Sequence, residues 1–343
     1  MPEIGQRYTP AMNALLELPM VAPSPPAAHP VHVPVLLDEV LEALLPQRGG
    51  RYLDGTIGGG GHASAILAQT APDGLLLGLD RDVMTLEYAR HRLAPFTGRL
   101  QLVHAAFDAL SDVALSCGWS DVDGVLLDLG FSSLQLDGDG RGFSFQRDEP
   151  LDMRLDTDAD TPTAAAILAH TSESDLARLL YRFGEEPAAR RIAREIVQQR
   201  TVAPLRTTGQ LHRAVWRAVG GRHGALIDPA TRTFQALRIA VNDELGQLER
   251  VLPQAISLLK PGGRLAVISF HSLEDRIIKQ HFARAAAACI CPPNLPECRC
   301  GHQPEVRLLW RKPRVPGADE VRRNPRARSA KLRAVERLEV VAS

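Results

Sequence analysis

Arg51-Tyr-Leu-Asp-Gly-Thr-Ile-Gly-Gly-Gly-Gly-His62 is the stretch on which the reading of this chain turns. Tyr52 and Leu53 form a short apolar run that ends in an acid, Asp54. Glycines then crowd the backbone, and a helical pattern starts at Ala63-Ser-Ala-Ile-Leu67. Strand, glycine loop, helix is the arrangement by which a nucleotide-like ligand reaches bare backbone at the carboxyl edge of a parallel sheet. Gly58 to Gly61 lack the Cβ atoms that would obstruct that approach, and they accept positive φ. A glycine loop alone is a weak signal. A second acid strengthens it, because Leu75-Leu-Leu-Gly-Leu-Asp80 reads as the next strand. An acid about 20 residues past the loop accepts hydrogen bonds from ribose hydroxyls. S-adenosylmethionine and NAD both carry that ribose. Asp54 ahead of four glycines and His62 suits adenosylmethionine better than it suits the dinucleotide pattern G-x-G-x-x-G.

Outward from this stretch, Arg51–Asp54, Leu75–Asp80, Leu100–His104 and Gly124–Leu129 read as strands with helical segments such as Val83 to Leu93 between them. That alternation predicts a parallel, doubly wound α/β sheet covered on both faces. The fourth strand ends at Asp128, again at the edge where ligands bind. Val35 to Leu45 reads as an amphipathic helix stopped by Pro46. After Gln135 the alternation stops and helices dominate. Thr161-Pro162 reads as a helix start, Ser172 with Asp175 as a capping box, and Thr207 or Thr208 as a further cap. A long helix from about Thr231 to Leu259 and the Lys260-Pro-Gly-Gly263 turn then lead into a late strand, Arg264 to Phe270. Ser329 to Val335 alternates as a closing strand does. The domains expected are a Pro/Ala-rich disordered tail over residues 1–31, a first core part over 32–137, an inserted all-helical unit over 138–227, and a second core part over 228–343.

Composition sets the bounds. With 343 residues, 45% of them apolar and 23% charged, the chain has ample material for a core. No apolar run approaches the roughly 18 residues of a membrane helix, and the N-terminus lacks a secretory pattern. Five cysteines, four of them bunched, argue against a disulfide framework and for a cytoplasmic protein. Formal net charge is zero, yet arginine gathers between Arg206 and Arg238 and again between Arg307 and Arg337. Clusters rich in Arg rather than Lys favour phosphate recognition, although solvated helix faces have the same composition.

Several uncommon phrases stand together: Asp54-Gly-Thr-Ile-Gly-Gly-Gly-Gly-His62, Asp128-Leu-Gly-Phe-Ser-Ser133, Arg141-Gly-Phe-Ser-Phe145, Leu151-Asp-Met-Arg154, Ala230-Thr-Arg-Thr-Phe-Gln-Ala-Leu-Arg238, Ser269-Phe-His-Ser-Leu-Glu-Asp275 and Asn324-Pro-Arg-Ala-Arg-Ser329. In this order, from about Val33 to Arg337, they closely resemble the bacterial 16S rRNA cytosine-N(4) methyltransferase family, RsmH or MraW. The resemblance implies a class I (Rossmann-like) adenosylmethionine-dependent methyltransferase core with an inserted helical domain. It also implies methylation of a cytidine amine in the decoding centre of 16S rRNA, within the small ribosomal subunit, with no membrane or DNA partner. Phrase by phrase, it puts the S-adenosyl-L-methionine contacts on Gly60, Gly61, His62, Asp80, Phe107, Asp128 and Gln135. The tail before Pro30 is longer than the family core requires.

Asp128 stands where amino-methyltransferases of DNA carry Asp-Pro-Pro-Tyr, and Asp-Leu-Gly-Phe keeps only the acid. It is the candidate catalytic residue, aligning the target amine or accepting its proton late; contact with the cofactor alone is the competing role. His62 has a plainer role open to it, capping the helix start. His271 follows the fifth strand at the ligand edge. Phe131, Phe143 and Phe145 either stack an unpaired base or belong to the core. Cys289, Cys291, Cys298 and Cys300 form two C-x-C pairs six residues apart with His302 close behind. Four thiolates in one segment suit a tetrahedral zinc, and a metal-free reduced loop is the alternative. Cys117 reads as core. Two other functions share the same sequence features: an NAD-dependent oxidoreductase, and a non-catalytic RNA-binding assembly factor of the ribosome.

Overall fold

The apolar runs that end in Asp54, Asp80 and Asp128 are buried on both sides, which is the condition under which strands pair in parallel beneath two layers of helix. The computed structural model describes residues 34–130, 140–221, 228–292, 295 and 297–339. Its strands are β1 (Arg51–Asp54), β2 (Leu75–Asp80), β3 (Leu100–His104), β4 (Val122–Asp128), β5 (Leu259–Ser269), β6 (Val306–Leu308) and β7 (Lys331–Arg337). They form one sheet in the order β3-β2-β1-β4-β5-β7-β6. The first five are parallel, while β7 lies antiparallel to both β5 and β6. The chain builds outward from β1 to β3 and then returns to place β4 on the other side of β1. The sheet therefore has its switch point between β1 and β4, where ligands bind in such folds.

Helices α1 (Leu37–Leu44), α2 (Gly61–Gln69) and α3 (Val83–Arg92) cover one face, and α4 (Leu110–Ser116) lies on the other. Beyond β4 follow α5 (Ala164–His170), α6 (Glu173–Gly184), α7 (Ala189–Val202), α8 (Thr208–Val219) and α9 (Ala230–Asn242). Then come α10 (Glu244–Leu258), α11 (Ser272–Ala285) and α12 (Ala318–Arg323). Side chains alternate along each strand, so neighbours serve opposite cores. Tyr52, Leu76, Leu126 and Ile268 pack against α1, α2 and α3. Leu53, Leu77, Val125 and Val267 pack against α4, α10 and α11. Phe282 of α11 is fully buried in that second layer, and truncation to Ala costs about 3–5 kcal/mol.

A third core belongs to the helices after β4. Met153, Leu176, Leu180, Ile192, Ile196, Leu211 and Val215 meet there, and α9 adds Phe234 and Leu237. β4 and β5 are hydrogen-bonded neighbours although this helical lobe separates them in sequence. Arg141 ties the lobe to the sheet edge: its Nη1 donates to Asp82 Oδ2 at 2.6 Å, and Asp82 itself caps α3 through the amide of Met84.

Two expectations are corrected. The long helix from Thr231 to Leu259 is two helices, broken where Asp243 takes a left-handed φ of 48°. Asn242 enforces the break: its amide nitrogen donates to Met153 O at 2.7 Å, and its oxygen accepts from Leu155 N at 2.9 Å. Aspartate tolerates that conformation better than most residues. The helix expected to start at Thr161-Pro162 is capped instead by Thr163, whose side chain accepts from Ala166 N. Of the two candidate caps further on, Thr207 is the one used, in a capping box with Gln210.

Candidate functional site

Asp54, Asp80 and Asp128 end β1, β2 and β4, so the sheet itself sets the spacing of three carboxylates at its switch point. Hydrogen bonds then fix the glycine loop upon them. Thr56 N donates to Asp54 Oδ1 at 3.1 Å, and Gly58 N donates to Asp80 Oδ2 at 3.1 Å. Asp82 N occupies the other oxygen of Asp80 at 3.0 Å. The Thr56 hydroxyl accepts from Asp128 N at 2.6 Å, so one threonine joins the loop after β1 to the end of β4. No role for Thr56 was expected from the sequence; a hydroxyl between the acid and the glycines was the available signal.

A pocket opens over this network. Its walls include Gly55 to Gly59, Gly61, His62, Asp80, Phe107 and Asp128, with Pro34 and Val35 on one side and Asn324 and Arg326 on another. Five of the seven expected cofactor contacts thus share one cavity. Gly60 does not line it. With φ of 71°, Gly60 caps α2, and a Cβ there would meet Leu93 Cδ1 at 3.0 Å. Its φ is a conformational requirement of the turn into α2. Gln135 and Phe131 lie outside the described residues, as does the expected tail over residues 1–31. Arg81, Leu155, Phe270, Asn324 and Arg326 line the pocket without having been expected there. Asn324 and Arg326 do fall in one of the uncommon phrases, which was the signal at hand.

Since Gly60 is the cap, His62 does not cap the helix start. Its buried ring places Nε2 2.9 Å from Val35 O, and Nδ1 3.6 Å from Asp128 Oδ2. With Nε2–H donating to the carbonyl, a neutral ring turns its unprotonated nitrogen toward Asp128. His271 caps α11 in a capping box with Glu274, whose carboxylate accepts from Phe270 N at 2.8 Å. Glu244 lies close to both, but a bidentate contact with Arg238 at 2.8 and 2.9 Å already occupies it.

Electrostatics single out the acids. Burial pushes Asp54 up to about 7, against the amide of Thr56, and Asp80 to about 6. Asp128 is held well above the usual carboxylate range by burial first, then by the charges of Asp54 and Glu274. Glu274 goes the other way: burial raises it, but His271 and the Phe270 amide outweigh that and hold it low. Among the described residues, Asp128 Oδ1 is buried and has no hydrogen-bond partner. Unrelieved carboxylates around a cleft mark a site that gains from a cationic ligand.

Several expected contacts are used elsewhere. Phe145 stacks on His212 at 5.2 Å and meets Phe234 edge-on at 5.1 Å, so it packs inside the helical lobe. Phe143 packs against the same core. Of the C-terminal arginines, Arg307 pairs with Glu336, Arg314 with Glu42 and Arg333 with Asp275. Arg311, Lys312 and Arg328 stay exposed. Cys117 is packed beside the second sheet core. The four clustered cysteines lie together, outside the pocket, between α11 and β6.

Comparison with known proteins agrees in kind. A family model described as the MraW methylase family matches residues 29–338. A protein of Nitratidesulfovibrio vulgaris named ribosomal RNA small subunit methyltransferase H is 51% identical over 315 residues, covering 90% of this chain and 86% of its own. A protein of the same name from Thermomicrobium roseum is 52% identical over 307 residues, covering 90% and 94%. One from Syntrophotalea carbinolica is 54% identical over 308 residues, covering 90% and 98%.

Proposed function

Because the chain belongs to the MraW methylase family, we propose that it methylates the exocyclic amine of a cytidine in the decoding centre of 16S rRNA. It is an S-adenosylmethionine-dependent rRNA methyltransferase, and that membership sets aside the dinucleotide reading of the glycine loop. The observation that carries the chemistry is the unpartnered Oδ1 of Asp128, beside two further acids at the switch point of the sheet.

The residues present fit the cofactor. S-adenosylmethionine supplies an electrophilic methyl on a sulfonium centre, together with a second positive charge on its amino group. Asp80, at the end of β2, is the acceptor for ribose hydroxyls; each of its oxygens keeps a lone pair after the amides of Gly58 and Asp82 are served. Phe107 offers an apolar ring to the adenine. Gly58, Gly59 and Gly61 leave the backbone bare on the side that faces the pocket. The raised carboxylates gain from positive charge, because a cation restores the ionised form that burial disfavours.

The acceptor nitrogen is a weak nucleophile, since its lone pair is delocalised into the ring. Asp128 Oδ1 accepts one amine N–H and so turns the lone pair toward the methyl. Bound S-adenosylmethionine would supply the methyl to the amine nitrogen and leave as the neutral thioether, and Asp128 would take the proton that the methylated amine gives up. A carboxylate held above its usual range suits that late transfer. Beyond this, the protein positions two partners and excludes water.

The helical lobe, taken with the expected boundaries 138–227, is the proposed substrate-recognition unit. Exposed Arg206 on the lobe, with Arg311, Lys312 and Arg328 at the other end of the chain, offers contacts for phosphates. Among the described residues no helix is long and apolar enough to cross a membrane; we assign the reaction to the cytoplasm. The test is transfer of labelled methyl to small subunits from an unmodified strain, with the nucleoside mapped by mass spectrometry. Label on a decoding-centre cytidine amine is expected. Label on another nucleoside, with cofactor still bound, would keep the fold and the cofactor and discard the substrate.

A further inference from the structure

The segment between α11 and β6 leaves the molecule and returns to the same place. Glu305 N donates to Ala285 O at 2.8 Å where the excursion closes, and the His302 ring meets Arg284 O at 3.0 Å. None of its described residues from 286 to 305 is buried. A segment of this length with no fully buried side chain gains little from packing to offset its ordering entropy. It is organised around sulfur instead.

Cys289, Cys291, Cys298 and Cys300 bring their sulfurs within 4.8 Å of one another. Cys298 Sγ lies 3.6 Å from Cys300 Sγ, which lies 3.8 Å from Cys289 Sγ. A tetrahedral ion with metal–sulfur bonds of about 2.3 Å holds its sulfurs about 3.8 Å apart. Backbone amides also converge on these sulfurs. Ile290 N donates to Cys300 Sγ at 3.5 Å, Cys291 N to Cys289 Sγ at 3.4 Å, and Arg299 N to Cys291 Sγ at 3.4 Å.

We propose that Cys289, Cys291, Cys298 and Cys300 bind one zinc ion as a closed tetrathiolate site that folds the loop between α11 and β6. Soft thiolates select zinc, copper(I) or iron over magnesium and calcium. Four protein ligands leave no open position, so the ion is structural and takes no part in methyl transfer. Each thiol loses its proton as its bond to zinc forms, and no electron moves. Binding energy at such a site is folding energy for the loop.

The experiment is metal analysis of the full chain, purified under thiol reductant without chelator, beside a Cys291→Ser/Cys298→Ser double variant. One zinc per chain is expected in the parent, none in the variant, with equal adenosylmethionine binding by both. Loading the metal-free parent with cobalt(II) gives a second reading that does not depend on the variant folding. A thiolate-to-cobalt charge-transfer band with intense tetrahedral ligand-field bands is expected. Zinc no higher in the parent than in the variant, iron or copper in its place, two disulfides by intact mass, or no cobalt–thiolate band would each overturn the assignment.

Discussion

The switch-point pocket and the cysteine loop each gather polar groups for a ligand, by opposite means. In the pocket the scaffold comes first. Asp54, Asp80 and Asp128 are placed by β1, β2 and β4, whose side chains are locked into two cores before any ligand arrives. The price is electrostatic, since burial first, and then the charges of neighbouring carboxylates, push all three acids upward. The cysteine loop has no such scaffold, and none of its described residues is fully buried. Its four sulfurs are gathered by backbone amides, and on the assignment proposed above the ion completes the gathering. A preorganised site stores strain and waits; a ligand-organised site stores none and depends on its ligand to exist.

The largest expected effect tests the preorganised half. Asp128→Asn keeps the shape of the side chain but removes its charge and the base that takes the proton, so kcat falls by about 10²–10⁴ while cofactor affinity changes far less. Methyl-transfer kinetics with a parallel cofactor titration read both, and full turnover with normal binding would sink the role given to Asp128. Next comes Gly60→Ala. At φ of 71°, with Leu93 3.0 Å from the added carbon, it destabilises the fold by about 1–3 kcal/mol in chemical denaturation.

A third prediction concerns pH. Asp54 at about 7 and Asp80 at about 6 sit above their unfolded values, so the folded, ligand-free chain holds more protons in the window from about 4 to 7. Its stability is fullest below that window and falls as pH rises through it. A cationic cofactor favours the ionised acids, so its affinity rises with pH over the same window, by up to about tenfold per unit for one carboxylate. Calorimetric titration in two buffers of different ionisation heat shows protons released on binding. A flat affinity would mean that the acids are not relieved by the ligand. The smallest effect belongs to the other half: chelating the metal leaves cofactor affinity unchanged and shifts the main unfolding transition by less than about 0.5 kcal/mol.

The same contrast explains what the sequence disclosed. β1 and β2 have the bounds their apolar runs predict, because strands buried on both faces are written as apolar letters, and the edge strand β3 keeps its predicted bounds by pairing with β2. Acids that end such strands announce themselves in the same way. The break at Asp243 was not legible, because it depends on Asn242 reaching Met153 and Leu155 far away in the chain. Nor was the commitment of Arg307, Arg314 and Arg333 to carboxylates. Composition counts a charge and says nothing of who neutralises it. The link between Thr56 and Asp128 escaped for a like reason: it joins the loop after β1 to the end of β4, which only the sheet brings together.

The pocket wall draws on both ends of the described chain, Pro34 and Val35 from one and Asn324 and Arg326 from the other. Leu36 N is held by Glu320 Oε1 at 2.8 Å, and β7 must slot between β5 and β6 to bring that end home. A chain still being synthesised can therefore assemble β1 to β4 and their helices without possessing a finished pocket. The wall formed by Asn324 and Arg326 closes only once that last part of the chain is in place.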